Sequence, residues 1–358
     1  MKPESAPASF GAVNPLRVLQ VGLGPHGRNW ARRVIPDIKE VEPVAYVDSD
    51  PRALDLLREE GNVPAARCFE SLKEAIAATQ PEAVLITTAL PGHVPVIEAA
   101  LDAGLHVLVE KPFAPSVDAA RRLVDMAADK GLVLMVSQNY RFFPAPRALV
   151  SLVNESALGS LYEVSIDFRR YSSGQGRHQI EEQPLLVDMS IHHFDLLRMI
   201  LNREPQRIYC EAWNPEWATF GGPSVAVASI VFEGGVVVSY RGSWVSSGPI
   251  TPWAGDWRLE FENGEIFWTS REDEGVPQDK VVVRPRHGKA RSATLPTMRW
   301  TGGWGTVTEF VDAVQRHREP DSSGRINLGS IALMTAAVES ATRGEVVAIS
   351  RTGEALAI

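Results

Sequence analysis

Between residues 16 and 138 the apolar positions fall into short runs, broken only by Gln20, at 18–21, 44–47, 84–86, 107–109 and 133–136. Each run is too short for a helix and is bounded by glycine, proline or polar residues, so each reads as a buried strand. The stretches between them (28–35, 52–60, 72–79, 95–103 and 116–130) place apolar residues every third or fourth position, as amphipathic helices do. This alternation predicts an α/β fold: a doubly wound, parallel Rossmann-type sheet with right-handed crossovers over residues 14–138. After Asn139 the texture changes. Segments 161–169, 207–213, 224–232, 236–244, 257–262 and 265–268 read as strands, joined by hairpin turns such as Glu233-Gly234-Gly235 and Asn263-Gly264. Helices are expected at 185–201, 306–315 and 328–342. Residues 139–358 therefore predict an α+β domain with a large, mostly antiparallel open sheet and helices on one face.

The first apolar run flows into Gly22-Leu23-Gly24-Pro25-His26-Gly27 and then into a helical pattern. A G-x-G-x-x-G loop between strand and helix is the setting a dinucleotide pyrophosphate needs. The first glycine permits the turn, the second lets backbone N–H groups reach the phosphates, and the third lets helix and strand pack closely. The second strand ends at Asp48, twenty-one residues beyond Gly27. An acid there accepts hydrogen bonds from both adenosine ribose hydroxyls and repels a 2′-phosphate. NAD is the expected cofactor; Ser49 and the reach of Arg52 leave NADP open as the lesser alternative. Thr87, Thr88 and His93 follow the strand at 84–86 and are expected near the nicotinamide half, with a helix-start histidine that binds nothing as the alternative for His93.

The strand at 107–109 ends in Glu110-Lys111-Pro112. Open α/β sheets bind ligands at this carboxyl edge, and proline stiffens the backbone that carries the lysine. Lys111 is thus a candidate acid/base or electrostatic clamp.

A net charge of −8 over 358 residues argues against nucleic acid or anionic membrane as the main partner. The basic run 284–291 reads as a solvated hairpin tip. Cys68 and Cys210 make neither a disulfide framework nor a metal-type spacing, which fits a reducing cytoplasm. Residues 1–13 lack an apolar core and read as a disordered tail rather than a signal peptide. No apolar run approaches a membrane span.

The helix at 185–201 (LLVDMSIHHFDLLRMIL) is mostly apolar but carries Asp188, His192 and Asp195. Spacings of i, i+4 and i+7 put the three on one stripe, whereas His193 lies off it and reads as structural. Acids on such a helix are costly to bury unless paired or used. An imidazole suits proton movement near neutral pH, and a carboxylate one turn away orients its ring or binds a hydroxyl. A buried histidine satisfied by Asp188 is the bland alternative. A metal held by the three is another, but no further ligand is evident and no metal is expected.

With these motifs in order, the chain resembles the glucose–fructose oxidoreductase, inositol dehydrogenase and rhizopine-catabolism (Gfo/Idh/MocA) oxidoreductases from residue 16 to about 348. The resemblance rests on the glycine loop, Glu110-Lys111-Pro112, Asn139-Tyr140-Arg141-Phe142, the Asp188–His192–Asp195 helix and the closing pattern at 336–347. It implies NAD(H) across the first domain and a carbohydrate or cyclitol between nicotinamide and the second sheet. Lys111 is then the clamp on the reacting oxygen, His192 the acid/base, and Asp188 the holder of a neighbouring hydroxyl. Glu110, Lys111 and Asn139 join the cofactor contacts, Arg141, Asp188, His192 and Asp195 the substrate contacts, and the Lys111–Pro112 bond is expected to be cis. Homodimers or homotetramers through the exposed sheet face are common in such proteins. The sequence departs from the family in three places. Gln183-Pro184-Leu185-Leu186 replaces a glycine pair, Ser190 replaces a glycine, and Thr88-Ala89-Leu90 replaces Thr-Pro-Asn.

Eight of the nine tryptophans lie in the second domain. Indoles stack on sugar faces or fill cores; Trp257 is the candidate for stacking. The loop at 168–180 carries Arg169, Arg170, Arg177 and His178, an anion-binding lip or a solvated loop. Arg169 and Arg170 alternate on their strand, so at most one points inward. The leading expectation is NAD-dependent oxidation of a secondary hydroxyl of a sugar, sugar derivative or cyclitol. The alternatives are a redox-neutral glycosidase that retains its NAD, acting on a sulfonated or uronic glycoside, and a non-catalytic NAD-binding regulator.

Overall fold

The computed structural model describes residues 14–174, 176–179, 182–271, 279–349 and 355–356. The expected tail at 1–13 lies outside the described residues. In the first half, β1 (Leu16–Val21), β2 (Val41–Val47), β3 (Cys68–Phe69), β4 (Ala83–Ile86), β5 (His106–Val109) and β6 (Leu134–Val136) form a six-stranded parallel sheet. Its order is β3-β2-β1-β4-β5-β6, so the chain reverses direction of growth between β1 and β4. Both faces are covered, which is why β4 reads as an unbroken apolar run: all four of its residues are buried. The crossover helices are α1 (Pro25–Asn29), α2 (Pro51–Gly61), α3 (Leu72–Thr79), α4 (Leu90–Asp102) and α5 (Val117–Asp129). Side chains of Asp50, Ser71 and Ser116 accept the first free N–H groups of α2, α3 and α5, which sets where those helices start. α1 does not run on as a regular helix; it loosens into a π turn over Trp30–Val34 and a 3-10 turn over Ile35–Asp37.

A further helix, α6 (Pro144–Asn154), leads into the second sheet. Its strands are β7 (Leu161–Arg169), β8 (Pro205–Trp213), β9 (Val225–Phe232), β10 (Val237–Ser243), β11 (Asp256–Phe261), β12 (Gly264–Thr269), β13 (Lys280–Pro285), β14 (Arg291–Ser292), β15 (Val347–Ile349) and β16 (Ala355–Leu356). They line up as β14-β13-β12-β11-β7-β10-β9-β8-β15-β16. All neighbours are antiparallel except β7 and β10, which run parallel at the centre. The basic run at 284–291 does sit between two paired strands, β13 and β14. Helices α7 (Ile191–Leu201), α8 (Gly302–Gln315) and α9 (Gly324–Arg343) complete the chain. α9 packs on β8 and on α5 of the first sheet. α8 goes further: Val307, Phe310, Val311 and Val314 share one buried cluster with Leu16, Val18, Trp30, Val34, Leu85 and Leu108.

Among the described residues no helix is long and apolar enough to cross a membrane. No group of three or more histidine, cysteine or acidic side chains among them is arranged to hold a metal ion.

Candidate active site

The glycine loop sits at the point where β1 and β4 diverge. Gly22 has φ +93°, and a Cβ there would meet the backbone N of Thr88 at 2.5 Å. A Cβ on Gly27 would lie 2.0 Å from the carbonyl oxygen of Gly22, so helix and loop close only on a hydrogen. Gly24 is different: nothing stands within 4 Å of its would-be Cβ. That open approach to backbone is what a pyrophosphate requires, and the loop fits a dinucleotide on this ground. Pro25 opens α1, and Asp48 follows the last residue of β2 beside the loop. Its carboxylate accepts from the backbone N–H of Leu23 at 2.6 Å and of Asp50 at 2.9 Å. Ser49 and Arg52 are exposed next to it.

At the end of β4 the Thr87 hydroxyl donates to the carbonyl of Gly22 at 2.6 Å, tying strand to loop. The Thr88 hydroxyl and the Asn139 side-chain oxygen are buried with no hydrogen-bond partner among the described residues. His93 is occupied. Its ring nitrogens stand 2.9 Å from the Pro112 carbonyl and 3.0 Å from the Thr88 carbonyl, so it braces two loops, and burial pushes its pKa down.

Glu110 faces back across the cleft, with Oε1 3.0 Å from Nε2 of His26. Burial pushes its carboxyl up, but the His26 contact and the charge of Lys111 outweigh this and hold it below the usual range. The Lys111–Pro112 bond is cis. The Lys111 ammonium donates to Oδ1 of Asp188 at 2.8 Å and to the Asp188 carbonyl at 2.5 Å. Two lobes of the molecule thus meet in one ion pair, with both side chains mostly buried. His178 comes in from the loop after β7, with Nε2 3.4 Å from the other Asp188 oxygen.

His192 is 6% exposed and lies flat on Tyr140, ring centroids 4.1 Å apart and planes 8° from parallel. The Arg271 guanidinium carbon stands 3.9 Å from the centre of the same Tyr140 ring. Both groups cannot share a face at those distances, so tyrosine is sandwiched between imidazole and guanidinium. Burial first, then the charges of Lys111 and Arg271, push the His192 pKa well below its ordinary value, with Asp188 pulling weakly the other way. The site therefore sets an uncharged imidazole beside an ammonium held by a carboxylate. Tyr140 stood inside the Asn-Tyr-Arg-Phe motif, and its aromatic ring after a strand end was the available signal. Arg271 follows β12, far away in sequence, and nothing in its neighbours marks it.

Other expected contacts lie elsewhere. The single helical stripe holding Asp188, His192 and Asp195 is not formed, because Leu186–Ser190 is a π turn and only Ile191–Leu201 is α-helical. The wider turn changes the angular step, turning Asp188 to Lys111 while Asp195 points inward. Asp195 is 1% exposed and takes two hydrogen bonds from Arg141, at 2.6 and 2.7 Å, with Ser330 donating a third at 3.0 Å. Arg141 spends its remaining reach on the Asp321 carbonyl. The pair is a buried clamp between the 139–141 turn, α7 and α9. Trp257 is fully buried, packed against Trp268, and donates to the Ala254 carbonyl at 2.6 Å. Of the two strand-end arginines, Arg170 points inward, its guanidinium 4.3 Å above Trp253, and Arg169 pairs outward with Asp167. Arg177 lies in a short turn with His178. The Ser190 hydroxyl, where the family carries glycine, bonds the Tyr240 hydroxyl at 2.8 Å.

His193, expected to be structural, contacts the Tyr240 hydroxyl and the Trp253 carbonyl inside the core. Burial lowers its pKa to about 4. Below about pH 6.5 the unfolded chain takes up a proton that the folded chain refuses, so stability falls as pH drops through that window. Over the interval from 6.5 to about 4 this one residue is worth on the order of 3 kcal/mol. The denaturation midpoint should fall between pH 7 and 5, and less steeply in His193→Phe; equal slopes would remove His193 as a source.

A parallel sheet with a glycine-loop crevice, joined to a second sheet whose π turn and helix carry an acid and an imidazole, is the architecture of an NAD-binding oxidoreductase. The comparisons agree. Residues 16–138 match the oxidoreductase family with an NAD-binding Rossmann fold, Gfo/Idh/MocA, and residues 147–266 match the C-terminal domain of the same family. The chain belongs to the Gfo/Idh/MocA family. It is 27% identical to D-apiose dehydrogenase of Paraburkholderia graminis, over 91% of this chain and 88% of the relative. It is 33% identical to inositol 2-dehydrogenase of Corynebacterium glutamicum, over 51% of this chain and 53% of that one. An Agrobacterium radiobacter oxidoreductase, solved with NAD+, L-tartaric acid and magnesium, superimposes with a TM-score of 0.82 at 21% identity, covering 94% and 98% of the two chains.

Proposed function

We propose that the protein oxidises a secondary hydroxyl of a sugar, sugar derivative or cyclitol, with NAD as the oxidant. The observation that carries this reading is the convergence of Lys111 from the first domain with Asp188 and His192 from the second. When bound, the nicotinamide supplies the hydride acceptor. The chain's own residues do the rest. Gly22, Gly24 and Gly27 give the pyrophosphate access to backbone, and Asp48 takes the adenosine ribose hydroxyls while repelling a 2′-phosphate. Glu110, Thr88 and Asn139 line the nicotinamide side. Lys111 faces the reacting oxygen and stabilises its developing negative charge. His192, held uncharged, accepts the hydroxyl proton; its Nδ1 is buried and has no partner among the described residues, so Nε2 is assigned that task. The neutral imidazole has the lone pair that takes the proton and the ammonium has none, so base and clamp are different groups. Nothing observed favours the aglycone-releasing alternative.

The test is absorbance at 340 nm with myo-inositol, D-apiose and L-tartrate, each offered with NAD and with NADP. Turnover with NAD is expected for a polyol, and Asp48→Ala should weaken NAD binding by about tenfold and narrow the gap to NADP. Failure of every alcohol with both cofactors overturns the reading; an unchanged cofactor preference in Asp48→Ala removes that acid from its role.

A further inference from the structure

The loop that follows β7 brings a third group to the lysine–carboxylate pair. Asp188 is spanned: Lys111 holds Oδ1 at 2.8 Å, and His178 Nε2 stands 3.4 Å from Oδ2. The imidazole is oriented from behind. Its ring stacks on Phe220 with centroids 5.4 Å apart and planes 24° from parallel, and Trp244 lies 5.8 Å away on a tilted plane. The backbone is fixed as well, since the His178 carbonyl accepts from the Gly221 N–H at 2.9 Å. The contact at Oδ2 adds to the hold on the carboxylate's rotation about its Cβ–Cγ bond. Asp188 sits in a π turn rather than a regular helix, which makes such support more necessary.

We propose that His178 is a positioning residue that acts on Lys111 through Asp188. It donates from Nε2 to Oδ2 and keeps Oδ1 on the ammonium that clamps the reacting oxygen. The inference rests on the role given to Lys111 above. It also takes His178 out of an anion-binding lip and gives it to the catalytic pair.

Two substitutions separate hydrogen bonding from packing. His178→Phe keeps a ring against Phe220 and Trp244 but has no donor. His178→Gln gives up the ring and keeps an N–H donor at nearly the Nε2 reach. In crystals of the NAD complex, Oδ1 of Asp188 should leave Lys111 in His178→Phe and stay within hydrogen-bond distance in His178→Gln. With myo-inositol and NAD, kcat should drop about tenfold in His178→Phe with KM and NAD affinity unchanged, and stay near wild type in His178→Gln. An ion pair left intact in His178→Phe, or broken equally in both variants, overturns the proposal. Should either protein fail to fold, the same distance in His178→Ala decides. Lys111→Ala is run alongside: if it keeps turnover, the reading of the site fails; if it alone loses turnover, only the role of His178 fails.

Discussion

Lys111→Ala is expected to lower turnover by about a thousandfold while NAD binds as before. The ammonium is held by Asp188 on the second sheet's side of the site, with side chains only 14% and 15% exposed, and among the described residues it makes no hydrogen bond to the glycine loop. Removing it takes the positive charge from the place where an alkoxide would develop and leaves the pyrophosphate cradle untouched. It also lifts one of the two cations that hold His192 uncharged. The acid side of the pH–rate profile should therefore move up for whatever activity remains. Titration of NAD binding by fluorescence, set beside initial rates, checks both halves. Near-normal turnover would exclude the lysine from the chemistry, and lost NAD binding would show it to be a cofactor ligand instead.

Arg141→Met should cost about 3–5 kcal/mol of stability, because it strands a carboxylate that is 1% exposed. Among the described residues, Ser330 would be the one side-chain donor left on Asp195. The double change Arg141→Met with Asp195→Leu should recover much of that loss, since burying neither charge is cheaper than burying one. Denaturant titration of the two single variants and the double makes the comparison. A substrate contact would behave otherwise, with KM rising and stability unmoved, and that result would return Arg141 and Asp195 to the binding site.

The parallel sheet was legible because its strands are buried on both faces and therefore continuous in sequence, and the glycine loop because three separate steric demands fall at fixed spacing. The strand at 161–169 was read to the residue, and its neighbours to within two or three, since alternation and turn residues bound them. What the pattern hid has physical causes. α6 opens on Pro144 and holds a second proline, Pro146, so its helical period is masked at the start. The parallel pairing of β7 with β10 is a long-range choice that no local period encodes. At the site, the π turn at Leu186–Ser190 defeats any argument from a 100° step, and so Asp195 was grouped with Asp188 although the two face different surroundings. Buried arginine–carboxylate pairs and catalytic ones look alike in sequence, because both place charge on a greasy helix.

The contribution of α8 to the core beneath β1 and β4 bears on how the cleft can open. Trp304 also donates to Asp37 at 2.8 Å, and Gly302 N–H to the Phe142 carbonyl at 2.9 Å. The nucleotide-binding lobe borrows its last layer from residues translated long after its own strands, so that core is complete only once α8 has docked. A free hinge between the lobes would tear that layer, and ligand entry is left to the segments bordering the crevice.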